Sequence, residues 1–479
     1  MDFHVSLGGR GDLAARIYRQ LLDAVLDGRL RPGERLPPTR ELAQRLDVSR
    51  NTVAAAYERL AADGFLIGRV GSGTFVCDQP LGRVRSRNAP SGTDVRPRRH
   101  WTSVPVPETA GPVEPDYNFD VGIPDQRLFP LETWRRIVTG ELRASALPGR
   151  TYGEPAGLTR LRTAIARHIG VSRSVRAGAD DVIVTQGAQQ ALDVIGRVLI
   201  EPGDCVVVEE PGYRAARLLF QSLGARVVGV PVDAEGLDVT AIPPNTRLVY
   251  TTPSHQFPVG IPMSLARRAA LLDWAERHSA VIVEDDYDSE FRFDDRPLEP
   301  LQSLDHSGRV VYVGSFSKVM LPMLRLGFLV APATLRPALR FAKQLTDWHG
   351  DLTTQAAMAR FIEEGLLGRH VRRANREYAA RHDRIVGILR RDFSEWLQPV
   401  PSAAGLHLSA RLDPAAPVDI AAVLRHAGQA GVLVRDIADY HAGRVSQPGI
   451  VLGYGSIQRD RIAEGLRRLA ASFRTLADG

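Results

Sequence analysis

The chain has 479 residues, 44% hydrophobic and 24% charged, a composition that excludes global disorder and, at roughly 100–200 residues per domain, a single compact body. Its two cysteines, Cys77 and Cys205, are too few for a disulfide framework or a cysteine-rich zinc site, so no metal is expected. The net charge of +6 is a weak pointer to a polyanion that a solvated basic surface explains equally well.

No apolar run reaches the ~18 residues of a spanning helix, and the N-terminus lacks a basic-then-apolar leader, so a cytoplasmic protein without a membrane partner is expected. The charge is uneven. Residues 1–78 carry 11 Arg against 10 acids, net +1, whereas residues 79–112 carry 6 Arg against Asp94 and Glu108, net +4.

The first segment reads as three short helices and a hairpin. Leu13, Ile17, Leu21 and Val25 recur at helical spacing, and Gly28 can end that helix. Pro37 and Pro38 favour a turn into a second helix with Leu42 and Leu46 on one face. Asp47-Val48 then connect tightly to Ser49, a natural N-cap. The third helix turns Val53, Tyr57 and Leu60 inward and leaves Arg50, Asn51 and Thr52 exposed in its first turn. Residues 65–67 and 74–76 flank a glycine-rich hairpin tip that carries Arg69.

Two helices joined by a tight turn suit a major groove, with Arg50, Asn51 and Thr52 toward base edges. Arg40 and Arg50 suit phosphate, and Arg69 suits phosphate or the minor groove. A small helical packing domain with ordinary surface arginines gives the same pattern. The run GERLPPTRELAQRLDVSRNTVAAAYERLAADGFL followed by GSGTFV is more specific. Through it, residues 12–77 resemble a GntR-type winged helix-turn-helix, which implies a double-stranded DNA operator as partner.

Residues 79–115 are rich in Pro, Arg, Ser and Gly without apolar periodicity, the composition of an extended tether. From Asp116 onward, short β-branched runs ending in polar or glycine residues alternate with helical patterns: DVIVTQG, DCVVVEE, RLVYTT, SAVIVEDD and RVVYVGS. That alternation predicts an α/β fold with a largely parallel sheet and ligand residues at the carboxyl strand ends. The expected organisation is therefore multi-domain: a DNA-binding head over 1–78, a tether over 79–115 and an α/β body over 116–479.

Only two of the 61 basic residues are lysine, Lys318 and Lys343. Arginine replaces lysine wherever charge suffices, but it cannot supply the free amine of imine chemistry. Lys343, in an amphipathic stretch, reads as a solvated surface amine. Lys318 closes Gly314-Ser315-Phe316-Ser317-Lys318 after a strand, and Arg325 follows seven residues on.

Gly187, Ala188 and Gln189 lie where a strand gives way to a helix, a turn whose free N–H groups can hold phosphate and that is equally common as plain structure. Asp285 and Tyr287 end another strand. There a carboxylate needs a cationic partner, with a metal site or a loop cap as the alternatives. Tyr213 is placed to stack on a flat ring or to fill core.

Together these are the fittings of a pyridoxal 5'-phosphate (PLP) site. From Asp116 the chain resembles the fold-type-I, class I aminotransferases, and as a fusion it resembles the MocR-type regulators. The resemblance implies that Lys318 forms the Schiff base with PLP, Asp285 meets the ring nitrogen, Tyr287 the ring hydroxyl and Tyr213 the ring face. It further implies that Gly187, Ala188, Gln189, Ser315, Ser317 and Arg325 surround phosphate, and that Tyr152 reaches the partner's phosphate in a homodimer.

The chain departs from the family in two places. TPSHQFPVG replaces the usual Asn-Pro-Thr-Gly, with Phe257 at the asparagine position and His255 and Gln256 as pocket-lining candidates. Val451 stands where amino-acid-handling members often carry an arginine for the substrate carboxylate. Arg435 and Arg217 are alternative anchors or plain structural arginines. The expected function is a PLP-dependent transcription regulator that responds to PLP, an amine or an amino acid through an aldimine and controls vitamin B6 or amino-acid metabolism genes. The alternative is a working aminotransferase with an appended DNA-binding domain.

Overall fold

A computed structural model of the chain describes residues 12–78, 94–97, 101, 115–143, 152–293, 299–402, 404–443 and 445–477. They fall into two compact units, Met1–Pro97 and Arg98–Gly479. Most of the expected tether, 79–115, lies outside the described residues. No helix among the described residues is long and apolar enough to cross a membrane.

The head contains α1 (Leu13–Leu26), α2 (Thr39–Leu46) and α3 (Arg50–Ala62), followed by an antiparallel pair, β1 (Leu66–Arg69) and β2 (Gly73–Val76). Ile17, Leu21 and Ala24 of α1 share one buried cluster with Val53, Ala56, Tyr57 and Leu60 of α3. The expected stripe from Leu13 to Val25 drifts: Leu13 is exposed, and Ala24 takes the inward place of Val25. A strict four-residue step overshoots the 3.6-residue turn, so the buried seam follows i, i+4, i+7. Asp47 adopts a left-handed φ of +51° that stops α2. Two residues on, the Ser49 hydroxyl oxygen accepts the Thr52 N–H at 3.1 Å and starts α3.

The body is built on an eight-stranded sheet. In spatial order its strands are Val182–Thr185, Gly327–Val330, Val310–Ser315, Val281–Asp286, Thr246–Thr251, Cys205–Glu210, Arg226–Asp233 and Gly236–Leu237. The five strands expected from sequence all form. Neighbours from Val310–Ser315 through Arg226–Asp233 are parallel, whereas Gly327–Val330 runs against both of its neighbours.

Both faces are covered, as a parallel sheet requires. Val206 and Val208 pack with the helices Ala188–Leu199 and Arg214–Ser222 on one face. Val207 packs with the helix Leu265–Arg277 on the other. Beyond the long helix Leu366–Asp392, a four-stranded antiparallel sheet follows in the order Leu397–Pro399, His407–Leu412, Gly449–Gly453, Arg435–Asp436.

One expectation fails here. Lys343 is not a solvated amine: it is wholly buried under the helix Arg336–Asp347 and paired with Asp347 one turn on. Asp347 also accepts hydrogen bonds from Gln186 Nε2 (2.8 Å) and Gln190 Nε2 (2.7 Å). Burial acts to raise the Asp347 pKa, but the bonds from Lys343 and Gln190 outweigh it and hold the carboxyl below its ordinary value. The amphipathic pattern is real; the lysine sits on its inner side because a carboxylate within reach compensates its charge.

Candidate cofactor site and nucleic-acid interface

In the head, Arg40, Arg50 and Asn51 are exposed at the starts of α2 and α3. Thr52 is half-buried, and its hydroxyl lies 2.8 Å from that of Ser49, so it also serves the helix cap. Arg69 is exposed at the hairpin, 3.3 Å from Asp78 and over the Phe75 ring at 5.1 Å. The helix start is the positive end of the α3 dipole, which suits an anionic backbone. Arg35 escaped the sequence reading. It bridges to Phe75, and a Cβ at Gly73 would stand 2.9 Å from its Nε, so glycine there makes room for a cation at the hairpin base.

In the body, the parallel strands end at one edge, and the side chains beyond them line a cavity of about 260 Å³. Gly187, with φ +82°, begins the helix Ala188–Leu199 without a side-chain cap, leaving first-turn N–H groups for an anion. Because Gly327–Val330 runs in reverse, its entrance lies at this same edge, paired with Thr185 and Ser315. That reversal brings Arg325 to the loop, where Nη2 donates to the Gln186 carbonyl at 2.8 Å. Ser315 and Ser317 line the same end, the Ser317 N–H donating to Ser315 Oγ at 3.1 Å.

Asp285 is buried at the floor. One carboxylate oxygen accepts from the Tyr250 hydroxyl at 2.8 Å, while Oδ1 is buried without a partner. Burial pushes this carboxyl up to about 7, against the Tyr250 hydrogen bond and the charge of Lys318. Such an orphaned acceptor asks for a donor with positive charge.

Lys318 Nζ donates to the Gly122 carbonyl at 2.7 Å, and a Cβ on Gly122 would come within 2.6 Å of that nitrogen. Burial lowers the lysine pKa, opposed by Asp288, Asp285 and Asp120, which favours the free amine that attacks a carbonyl. Tyr213 lines the wall, its ring edge-on to Phe257 at 5.7 Å.

Residues 117–469 match the aminotransferase class I and II family, and residues 13–76 match the bacterial regulatory proteins of the gntR family. The probable rhizopine catabolism regulatory protein MocR of Rhizobium meliloti is 38% identical over 465 residues, 96% of this chain and 94% of that protein. This chain belongs to the MocR family. The pyridoxine biosynthesis transcriptional regulator PdxR of Corynebacterium glutamicum is 32% identical over 450 residues, covering 94% and 93% of the two chains. Among solved structures, the kynurenine aminotransferase of Pyrococcus horikoshii, in complex with PMP, superposes with a TM-score of 0.69 at 30% identity, over 74% of this chain and 90% of that one.

Within this MocR-family body, the cavity lining brings together Ala188, Gln189, Tyr213, Asp285, Tyr287, Ser315, Ser317, Lys318 and Arg325, with Gly187 beside them. Tyr287 lines the cavity, but its hydroxyl donates to the His255 carbonyl at 2.9 Å. Burial, with Asp288 and Asp285, keeps that phenol protonated. Tyr152 lies away from this cavity's lining, 79% exposed, its ring 5.1 Å from Trp348.

Phe257 occupies the wall, whereas His255 and Gln256 stand behind it. His255 bonds Asp288 through Nδ1 (3.1 Å) and the Ser402 hydroxyl through Nε2 (3.2 Å). Gln256 donates to the carbonyls of Pro211 and Phe257 and accepts from Val259. Neither alternative anchor is free: Arg435 grips Asp120 with two bonds of 2.8 and 3.0 Å, and Arg217 holds Glu210 and the His441 carbonyl. Val451 is fully buried, paired across the sheet with Ser409 and Arg435.

Gly122, Tyr250 and His407 belong to the site and were missed. Each had a signal: a glycine before Ile-Pro, a tyrosine in the short apolar run Leu248-Val249-Tyr250, and a lone histidine amid alternating apolar residues.

Proposed function

We propose that this chain is a PLP-dependent DNA-binding transcriptional regulator in which a head over 1–78 reads an operator, 79–115 tethers it, and a body over 116–479 holds the cofactor. The observation that carries the reading is that Asp285, one of whose oxygens is buried without a partner, lines the same cavity as Lys318. Those groups fit PLP: Asp285 would hold the ring-nitrogen proton, Tyr213 the ring face, the Gly187 turn with Arg325 the phosphate, and Lys318 the covalent link. When bound, PLP supplies an electron-withdrawing ring and a carbonyl that captures amines.

In the head, Arg40, Arg50 and Arg69 meet backbone while Asn51 and Thr52 meet base edges. The exposed Tyr152, clear of its own cavity, supports its reaching a partner's phosphate across a homodimer. The names of MocR and PdxR favour control of catabolic or vitamin B6 genes, with PLP or an amine as effector. A ligand that binds two arrangements of the body unequally shifts the heads on DNA by the same coupling free energy.

The test is a titration of the full chain against its own upstream DNA at fixed salt, with and without PLP, for wild type and Lys318→Ala. PLP is expected to change wild-type affinity by about 5-fold or more and to leave Lys318→Ala unmoved. Equal responses, or no specific DNA binding, overturn the reading. Repeated turnover of an amino acid with a keto-acid acceptor would establish the aminotransferase alternative.

A further inference from the structure

Residues 116–123 form the entrance to the body, directly after residues 79–115 in the chain, and their hydrogen bonds run to two sides. On one side stand the small antiparallel sheet and the strand Val432–Leu433. The Tyr117 N–H donates to the Gly431 carbonyl and the Phe119 N–H to the Leu433 carbonyl, each at 2.9 Å, while the Phe119 carbonyl accepts the Gly453 N–H at 2.8 Å. The Asp120 carboxylate takes two arms of the Arg435 fork, at 2.8 and 3.0 Å, and accepts the Val121 N–H at 2.8 Å. The seating is close. A Cβ on Gly453 would fall 2.0 Å from the Asp120 carbonyl oxygen, and one on Gly455 would fall 2.1 Å from that of Ile123.

On the other side lies the loop that follows the strand Val310–Ser315. Among the described residues, one hydrogen bond ties the entrance segment to it: Lys318 Nζ donates to the Gly122 carbonyl at 2.7 Å. Val121, Gly122 and Lys318 all line the cofactor cavity. Gly122 holds a φ of +78°, a conformation that glycine adopts without a Cβ penalty. Two charge-assisted bonds from one guanidinium fix direction as well as distance. The Asp120–Arg435 pair, two residues before Gly122, therefore anchors the turn that aims this carbonyl at the amine.

The amine cannot serve two partners. When neutral Lys318 condenses with the aldehyde of PLP, a carbon–nitrogen double bond forms and water leaves with both amine hydrogens, so Gly122 loses that donor. A free amine holds the entrance segment; a linked one does not. We propose that the Gly122 carbonyl is a latch for the Lys318 amine, with Asp120 and Arg435 as its positioning residues, and that its release is passed through the entrance segment to the DNA-reading head. The inference deepens the regulator reading and rests on PLP being linked at Lys318. A contact made in one arrangement and absent from the other is what coupling between two sites requires. Removing the amine must then act on DNA binding as loading does.

The experiment measures operator affinity of the full chain at fixed salt, with and without PLP, for wild type, Lys318→Ala, Arg435→Ala and Arg435→Lys. Borohydride reduction and peptide mapping establish the loading at Lys318. PLP is expected to shift wild-type affinity by about 5-fold or more, and unloaded Lys318→Ala should match loaded wild type within about 2-fold. Arg435→Ala should take the label yet respond to PLP by less than about 2-fold. Arg435→Lys, which keeps a charge facing Asp120, should recover part of the response. Unloaded Lys318→Ala that binds DNA as unloaded wild type does overturns the latch, and so does a full response in labelled Arg435→Ala. If Arg435→Ala takes no label, the unloaded Lys318→Ala comparison decides alone. A wild type that takes no label at Lys318, or whose DNA affinity ignores PLP, overturns the regulator reading itself.

Discussion

At the scale of single residues, the site is built from charges that are costly to bury. Asp285 is held up to about 7 by burial and by the neighbouring Asp286, with one oxygen unpaired. Its ordinary value in the unfolded chain lies near 3.8, so the folded state retains a proton that the unfolded state releases. Cofactor-free protein therefore loses stability as pH climbs from about 4 to about 7 through this residue. Glu284, also at about 7, and Glu290, at about 8, act in the same direction. Comparing Asp285→Asn with wild type isolates one contribution. The variant should gain on wild type across that interval by about 2–4 kcal/mol and then level off, in urea unfolding at pH 5 and pH 8. Saturating PLP should shrink the difference, because a ring N–H pairs with the carboxylate. Lys343 illustrates the opposite solution: its charge is matched by Asp347, which in turn holds Gln186 and Gln190 at the anion-binding turn.

At the scale of elements, the reversed strand Gly327–Val330 decides where Arg325 meets the Gln186-Gly187 turn. Its first residue passes so close to the anion-binding turn that a Cβ on Gly327 would fall 2.8 Å from Gly187 Cα and 3.0 Å from the Gly314 carbonyl oxygen. Backbone cannot yield as a side-chain tip does, so Gly327→Ala must push the strand or the turn aside. The expected result is a loss of about 1–3 kcal/mol in stability. PLP affinity should fall by about tenfold or more with it. Thermal unfolding and PLP titration check both, and a variant with wild-type PLP affinity would show that the two elements are not held by this contact. In the head, the corresponding device is the pair Asp47 and Ser49, one ending α2 in the left-handed region and the other capping α3. Together they fix which residues α3 presents.

At the scale of the whole molecule, net positive charge matters less than where it stands. The head carries nearly as many acids as arginines, so DNA affinity must come from a few placed cations rather than a general field. Arg40 and Arg50 are exposed at helix starts, with no ion pair or hydrogen bond to another group among the described residues. Each should contribute one phosphate contact: Arg40→Ala or Arg50→Ala is expected to lower the slope of log affinity against log salt by about 1, nearly equally on all sequences. Asn51→Ala should leave the slope unchanged and relax discrimination at one base pair. Fluorescence anisotropy at several salt concentrations separates the two; a wild-type slope in both arginine variants would remove them from the interface.

Periodicity and local motifs carried the three head helices, the hairpin and five strands of the body sheet, because each depends on neighbours within a few residues. The nearly complete loss of lysine from the chain left Lys318 and Lys343 as candidates, and the strand-end motif around Lys318 separated them, because an amine needed for imine chemistry cannot drift to arginine. What the sequence could not decide were properties that depend on the far side of a contact. The burial of Lys343 depends on a carboxylate one turn away facing the same interior. The meeting of Arg325 with the Gln186-Gly187 turn depends on a strand that reverses direction, and the committed arginines 217 and 435 on carboxylates and carbonyls brought from distant segments. Above all, only the tertiary structure brought His407, from a strand more than eighty residues beyond Lys318, to the same cavity.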